Sequence, residues 1–415
     1  MTLPAPFEQQ AQATLGQQRY GLLLNAMGEE PPVSIRLNSG LTTTNIAATW
    51  GAQRVPWCDS GAYLNGRPSF TFDPLLHAGA YYVQEAGSMF LWHVLRQLFA
   101  GTLTDSFRGD EPIDMLDLCA APGGKSTCAA QSLPQGSTLT VNEPMGKRVQ
   151  VLSENIQKWW TFGGSNMPQV SVTNSYARDF AKAGATFDIV LADVPCSGEG
   201  MFRKDEGAIA DWSTAKVEQC RQLQRSIVAD IWKCLKPGGV LIYSTCTLNT
   251  MENEENTRWI AEELGADILT VPTEPGWNIT GSLLEGFTAP VYRFIPGITR
   301  SEGLFMAVMR KHGSRRPTKR KGSVKPLPLT HLTALHDAAD APLAQLSYQQ
   351  AVAYLRREAL TLSPDMPRGL VRVSYNGAIL GLAKNVGNHA NNLYPKEWRI
   401  KSTHIPEETN VIDII

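Results

Sequence analysis

Two cysteines stand where a thiol could do chemistry. Cys246 lies in "GVLIYSTCTLNTMENEEN", where an apolar, β-branched run ends and the chain turns polar and acidic. Cys196 lies in "FDIVLADVPCSGEG", again at the end of an apolar run and just before a Gly-containing loop. A thiolate is soft, strongly nucleophilic and a tolerable leaving group, so thiols at such places suit covalent catalysis. The competing fate of a free cysteine is to be a small core residue. That fate is expected for Cys58 and for Cys128, Cys220 and Cys234, the last three on predicted helices. Asp193, three residues before Cys196, adds a carboxyl group at the same strand end. Spacing alone does not say which of the two thiols attacks.

The elements that must position these groups are strands alternating with helices. "IDMLDLCA", "STLTVNE", "VSVTN", "FDIVLADV" and "GVLIYSTC" read as five short buried strands. Helical segments separate them, among them "KRVQVLSENIQKWW" and Thr214 to Leu235, the latter ending at "KPGG". This alternation predicts a parallel, doubly wound sheet. "YRFIPG" and "GLFMAVMRK" are placed antiparallel at its edge. Ligands of open α/β sheets sit at the carboxyl ends of the strands. The loop Cys119, Ala120, Ala121, Pro122, Gly123, Gly124, Lys125 follows the first strand, and its small residues let a ligand approach the backbone. Glu143 ends the second strand, where an acid can take both hydroxyls of a ribose. With Asp193 on the fourth strand, the set points to a nucleoside cofactor; the bland reading is a turn with helix-capping acids. The loop is not the GxxxxGK[ST] of triphosphate-binding proteins.

The chain of 415 residues is 43% hydrophobic and 19% charged, long enough for two or three globular domains. No apolar run is long enough for a membrane span, and the polar start lacks a signal pattern. The seven cysteines form no CxxC pair, so neither zinc nor a disulfide framework is expected, and a reducing cytoplasm is the natural setting. Net charge is −1, yet Arg310 to Lys325 holds eight Lys or Arg and no acid.

"DLCAAPGGKS", "ADVPCSGEGMFRKD" and "YSTCTLNTMENE" resemble the Nop/Sun family of RNA cytosine-5 methyltransferases, most closely its bacterial RsmF type, which acts on small-subunit ribosomal RNA. "SIRLN", "YYVQEAGSM" and the tail "NHANNLYPKEWRI" fit as well. The resemblance implies a class I, Rossmann-like S-adenosylmethionine-dependent core at 101–312. It implies an N-terminal α+β domain of RNA-binding type at 1–100, a basic linker at 313–328 and a PUA-like α+β domain at 329–415. It implies S-adenosyl-L-methionine as cofactor, no metal, ribosomal RNA as partner and a cytoplasmic protein, taken here as a monomer. It also assigns attack to Cys246 and release to Cys196. The chemistry fits those groups: carbon 5 of cytosine becomes nucleophilic only when something adds to carbon 6, and an acid near the ring nitrogen, here Asp193, would stabilise the charge that builds.

Lys125 can face the cofactor loop or the target ribose, or solvate a helix start. Arg203 and Lys204 can hold a phosphate beside the target base, the alternative being ion pairs with Asp205 or Glu206. Arg315, Arg316, Lys319, Arg320 and Lys321 offer a basic RNA-binding run, with Lys384, Lys396 and Arg399 beside Tyr394 and Trp398 in the tail. The alternative is a solvated linker. RsmF-type sequences often carry an acid after the third strand to face the adenine; here "VTNSYARDF" puts Asn174 and Tyr176 there and Asp179 further on. Competing functions are methylation of transfer RNA or 23S ribosomal RNA, a non-catalytic ribosome-assembly factor, which would have no need of either thiol, and a small-molecule methyltransferase, which would need neither flanking domain.

Overall fold

The structure, a computed structural model, describes residues 2–41, 51–107, 109–315, 321–402 and 411–412. Three sheets lie along it. The first, in the order β2-β3-β1-β4, is built from β1 (Val33–Leu37), β2 (Gln53–Val55), β3 (Cys58–Leu64) and β4 (Tyr81–Val83), all antiparallel. A helix from Ala5 to Met27 precedes it and another from Phe90 to Phe99 follows it.

The central sheet holds β5 (Asp114–Asp117), β6 (Thr138–Asn142), β7 (Gln169–Thr173), β8 (Phe187–Asp193), β9 (Leu235–Thr245), β10 (Ala266–Ile268), β11 (Tyr292–Phe294) and β12 (Leu304–Lys311). Its order is β10-β12-β9-β8-β5-β6-β7, with β11 also paired to β12. The five strands expected as parallel are parallel, and β12 closes the sheet antiparallel against β9. β11 pairs antiparallel with β12, as expected, and β10 is an addition. β8 and β9 are buried on both faces because helices cover both sides, so they read as continuous apolar runs rather than alternating ones. "KPGG" ends no helix: the helix stops at Trp232, and the segment opens β9 with a register shift against β8.

The last sheet runs β13-β14-β15-β16: β13 (Leu343–Gln345), β14 (Gly369–Tyr375), β15 (Ala378–Asn385) and β16 (Ala390–Asn392). The hairpin between β14 and β15 turns at Asn376 and Gly377, both at positive φ, as that residue pair favours. The flanking sheets are not separate modules on strings. Ile35, Leu37 and Tyr81 share one apolar core with Tyr354, Val371 and Leu380 of the last domain. Arg36 is fully buried, with its guanidinium 4.4 Å above the Trp159 ring and hydrogen bonds to Gln84 (2.7 Å), Gln131 and Thr127 (2.5 Å). It ties the first sheet to the helix that carries the expected cofactor loop.

Candidate active site

Because β5, β6, β8 and β9 are parallel, the residues that follow them meet along one edge of the sheet. Asp117, Glu143, Asp193 and Cys246 all lie there. A cavity of about 320 Å³ opens on this edge, lined among others by Asp117, Cys119, Gly124, Lys125, Asp193 and Cys246. Across from them stand Tyr82, Gln84 and Glu85 of the first domain's β4 segment, and Lys204, Glu302 and Gly303.

The two thiols are in contact, with Cys196 Sγ 3.3 Å from Cys246 Sγ. This closeness rests on glycine. A Cβ on Gly200 would lie 2.6 Å from Gly303 O and 2.8 Å from Cys246 O, so the loop after Cys196 packs backbone to backbone against both segments. Gly200 N donates to Cys246 O at 2.9 Å. The environments of the thiols differ. The hydrogen bond from Cys196 lowers the Cys246 pKa and outweighs burial and Asp193, with the Lys125 charge helping. The same bond, followed by burial, pushes Cys196 well up. Within the pair Cys246 is therefore the sulfur more readily ionised, with the Cys196 S–H as the donor. Of the two, Cys246 lines the cavity.

Lys125 Nζ donates to Asp193 Oδ2 at 2.9 Å, and Ser244 Oγ donates to Oδ1 at 2.6 Å. Burial would lower the Lys125 pKa, but Asp193, with Cys246 and Glu85, raises it on balance. Lys125 therefore stays an ammonium, paired with Asp193. It faces the reacting groups and is not spent on solvating its helix.

Two carboxylate oxygens on the cofactor side are buried without a hydrogen-bond partner: Asp117 Oδ1 and Glu143 Oε2. Asp117 Oδ2 takes Ser126 Oγ at 2.6 Å, and Glu143 Oε1 takes the Met145 N–H at 3.0 Å. Arg148 stands 3.4 Å from Glu143 Oε2. Burial, with repulsion from Asp193 and Glu143, pushes Asp117 up to about 7 despite Ser126 and Lys125. A buried acceptor with no hydrogen bond is costly, so Asp117 Oδ1 fits a ligand bearing a hydroxyl or ammonium donor, while Glu143 Oε2 has only the Arg148 charge beside it. Cys119 is held as a neutral thiol by burial and by the same three acids. Asn174 donates to the Glu143 carbonyl oxygen at 2.6 Å, and Asp179 caps the next helix through the Tyr176 N–H. Neither Asn174 nor Asp179 therefore supplies a free acid at the third strand. Exposed Met145 and Tyr176 flank that place instead.

The positively charged candidates separate. Arg203 is not at a phosphate. Its guanidinium grips Glu302 (2.6 and 3.1 Å) and the carbonyls of Ala26 and Ser301, with its side chain 5% exposed. The ion-pair alternative thus holds, with Glu302 in place of Asp205 or Glu206. Lys204 reaches the cavity, 3.6 Å from Glu302. Arg315 departs from the expectation for the basic run. Its guanidinium bonds Asp188 (3.0 Å) and Ser106 O (2.9 Å) and covers the Phe107 ring at 4.6 Å, leaving the side chain 7% exposed. Asp188 is the second residue of β8, so Arg315 sits at the sheet edge opposite the thiols. Lys321 is exposed there too, its backbone paired with Thr186. Arg316, Lys319 and Arg320 lie outside the described residues.

One set of functional residues escaped the sequence reading. Glu252 accepts from Ser197 N (3.0 Å), Gln224 Nε2 (2.7 Å) and Asn249 Nδ2 (2.8 Å). Glu199 accepts from Leu248 N and Asn249 N, both at 2.9 Å, and from Trp212 Nε1 at 3.0 Å. Both acids are buried and each bridges the loop after Cys196 to the loop after Cys246. The buried Arg293–Glu254 ion pair, with Arg293 also on Leu248 O (2.6 Å), fixes the second loop from behind.

Family models match in three consecutive blocks. The N-terminal domain of 16S rRNA methyltransferase RsmF matches 3–86, 16S rRNA methyltransferase RsmB/F matches 107–310, and the RsmF PUA domain matches 342–400. The chain belongs to the RsmB/F methyltransferase family. Among curated members it is similar to ribosomal RNA small subunit methyltransferase F of Aliivibrio fischeri strain MJ11, 36% identical over 66% of this chain and 55% of that one. The protein of the same name from Erwinia tasmaniensis is 29% identical over 84% of this chain and 85% of that one. The chain spans about half the length of the Aliivibrio fischeri relative. Among solved structures, NSun6 from Pyrococcus horikoshii superposes with a TM-score of 0.59 at 19% identity, over 74% of this chain and 98% of that one. A methyltransferase homolog from the same organism gives 0.58 at 23% identity, over 74% and 100%. These two likenesses establish the methyltransferase fold. Among the described residues no helix is long and apolar enough to cross a membrane.

Proposed function

We propose that this RsmB/F family member is a cytoplasmic, S-adenosylmethionine-dependent methyltransferase that acts on carbon 5 of a cytosine in 16S ribosomal RNA. The observation that carries the reading is a pair of touching thiols of which one, Cys246, shares a cavity with the Lys125–Asp193 pair. A ribosome-assembly factor that only bound RNA would need none of the four.

Asp117 and Glu143, each with a carboxylate oxygen free of hydrogen bonds, and the loop 119–125 would hold the cofactor. Bound S-adenosylmethionine supplies the methyl group to carbon 5. The chain's own residues do the rest. The Cys246 thiolate adds to carbon 6 of the cytosine, forming a C–S bond and moving the ring's electrons toward carbon 5 and the ring nitrogen. The Lys125 ammonium, held in place by Asp193, stabilises the negative charge that develops on the ring. Once carbon 5 is methylated, its proton is lost to water through the open cavity and that electron pair re-forms the ring double bond. The C–S bond breaks with its electrons on Cys246, and Cys196 S–H donates to the departing sulfur. Release is thus the step that Cys196 lowers, because it stabilises the thiolate rather than the thioether.

Bisulfite sequencing of total RNA from cells with and without the gene tests the substrate. Loss of one protected cytosine in 16S rRNA is expected, and a lost site in transfer RNA or 23S rRNA instead would refute the assignment. On denaturing gels Cys196→Ala should retain RNA as a covalent adduct and Cys246→Ala should not; the opposite pattern would reverse the two roles.

A further inference from the structure

A second cavity of about 320 Å³ lies beside the catalytic one, and nothing in the mechanism uses it. Its walls come from β4 and the turn before it, and from the helix Gly146–Gly163. Tyr82 and Val83 line both cavities, so a group in one lies a side chain away from the other.

The wall chemistry is specific. His77 Nε2 donates to Thr71 O at 2.9 Å, which leaves Nδ1 to accept from Lys158 Nζ at 3.3 Å. Lys158 is also paired with Glu154 at 2.5 Å. Ammonium and carboxylate cancel, so the cavity offers little to a phosphate. The amide nitrogen of Asn155 donates to Pro122 O (2.8 Å) and Tyr82 OH (3.3 Å), which leaves its amide oxygen to accept. Trp159 lines the cavity, is 1% exposed, and carries an indole N–H without a hydrogen-bond partner. A buried donor left unpaired is unfavourable and marks a place for an acceptor. Aromatic walls, an unpaired N–H and a free amide oxygen match the flat face and the mixed donor–acceptor edge of a nucleobase.

We propose that this cavity binds the base next to the target cytosine in the same RNA strand, unstacked from it. The inference rests on the RNA methyltransferase reading above. Turning the target base out of its stack deprives its neighbour of a stacking partner. A neutral, aromatic-walled cavity one side chain from the catalytic cavity replaces that partner. The volume is at the lower end of about 300–1,000 Å³ for ligand pockets and suits one base rather than a dinucleotide.

The test uses the full chain and a synthetic RNA stem-loop centred on the cytosine that the parent protein methylates, intact or with an abasic site on the 5′ or the 3′ side of it. An abasic site on one side should lower RNA affinity about tenfold, the scale of losing one stacked base, with little change on the other side. Thr71→Trp, placed at the exposed rim, should fill the cavity. It should weaken binding of the intact RNA by a similar factor and remove the sensitivity to the abasic site, while cofactor affinity by calorimetry stays at the parent value. Equal affinities for the intact and both abasic RNAs overturn the proposal without recourse to any variant. So does a folded Thr71→Trp protein that binds as the parent does. A parent protein that methylates no RNA overturns the underlying reading and this proposal together, whereas methylation with no abasic effect overturns this proposal alone.

Discussion

If Cys196 holds Cys246 as a thiolate, then removing the Cys196 thiol must change how Cys246 titrates. In Cys196→Ala the 3.3 Å contact is lost and no group replaces it. A hydrogen bond to a charged group is worth about 1.5–3 kcal/mol. At 1.36 kcal/mol per pKa unit, its loss should raise the Cys246 pKa by roughly one to two units. Burial and Asp193 already act in that direction, and only Lys125 remains to oppose them. At neutral pH the thiolate fraction would fall, by at most about one to two powers of ten, so adduct formation slows while release slows further. The assay is alkylation by iodoacetamide as a function of pH, with Cys246 followed by mass spectrometry of its peptide. A midpoint unchanged from the parent protein would mean that Cys196 does not set the charge of Cys246. A midpoint that moved down would refute the donor assignment outright.

Glu143→Ala should weaken S-adenosylmethionine binding by about 1.5–3 kcal/mol, the cost of losing a charged acceptor; calorimetry without RNA measures it, and an unchanged dissociation constant places Glu143 outside the site. Asp117 has its pKa pushed up to about 7 in the free protein. A donor on the bound cofactor would lower it, so binding releases a proton; affinity should be full above about 7 and fall as pH drops below, and Asp117→Asn should flatten that slope. A parent affinity independent of pH between 6 and 8 would count against Asp117 as a ligand. Glu252→Ala leaves the buried Ser197 N–H without its acceptor, a cost of about 1–3 kcal/mol, and removes one acceptor each from Gln224 and Asn249, which keep Pro195 O and Glu199. It should lower the unfolding midpoint and impair both thiols together, whereas a variant of parent stability and activity would deny Glu252 a positioning role.

The parallel strands and the edge on which the site lies could be read from the sequence, since β5, β8 and β9 are short apolar runs each followed by a chemically loaded residue. What could not be read was where charged residues find partners. "TMENEEN" looks like a solvated acidic stretch, yet Glu252, Asn253 and Glu254 are buried. Glu252 finds Ser197 and Gln224, 55 and 28 residues away, and Glu254 finds Arg293, 39 residues away. Periodicity carries no signal for such pairs. An acid-rich loop directly after a reactive cysteine is the nearest available hint, because a loop that must hold a nucleophile needs fixed acceptors for its backbone N–H groups.

Arg315 shows the same limit from the opposite side, with a consequence for RNA binding. In sequence it is one of eight cations in a run and reads as attraction for phosphate. In the fold, Asp188 takes both Arg315 and Lys236 (2.9 Å), and Phe107 covers the guanidinium. Replacing Arg315 with glutamine therefore leaves a buried carboxylate with one cation fewer, a loss of about 3–5 kcal/mol when one partner of a buried pair is removed. RNA affinity at a given salt concentration should hardly change in the fraction that folds. Lys321, exposed at the same edge, should behave the other way. Lys321→Gln should leave the unfolding free energy within about 0.5 kcal/mol of the parent, and it flattens the salt dependence of RNA binding only if the strand passes that edge. Thermal melts and RNA titrations at several salt concentrations separate the two residues. A stable Arg315→Gln protein with a flattened slope would put Arg315 on RNA and return the run to the role its composition suggests.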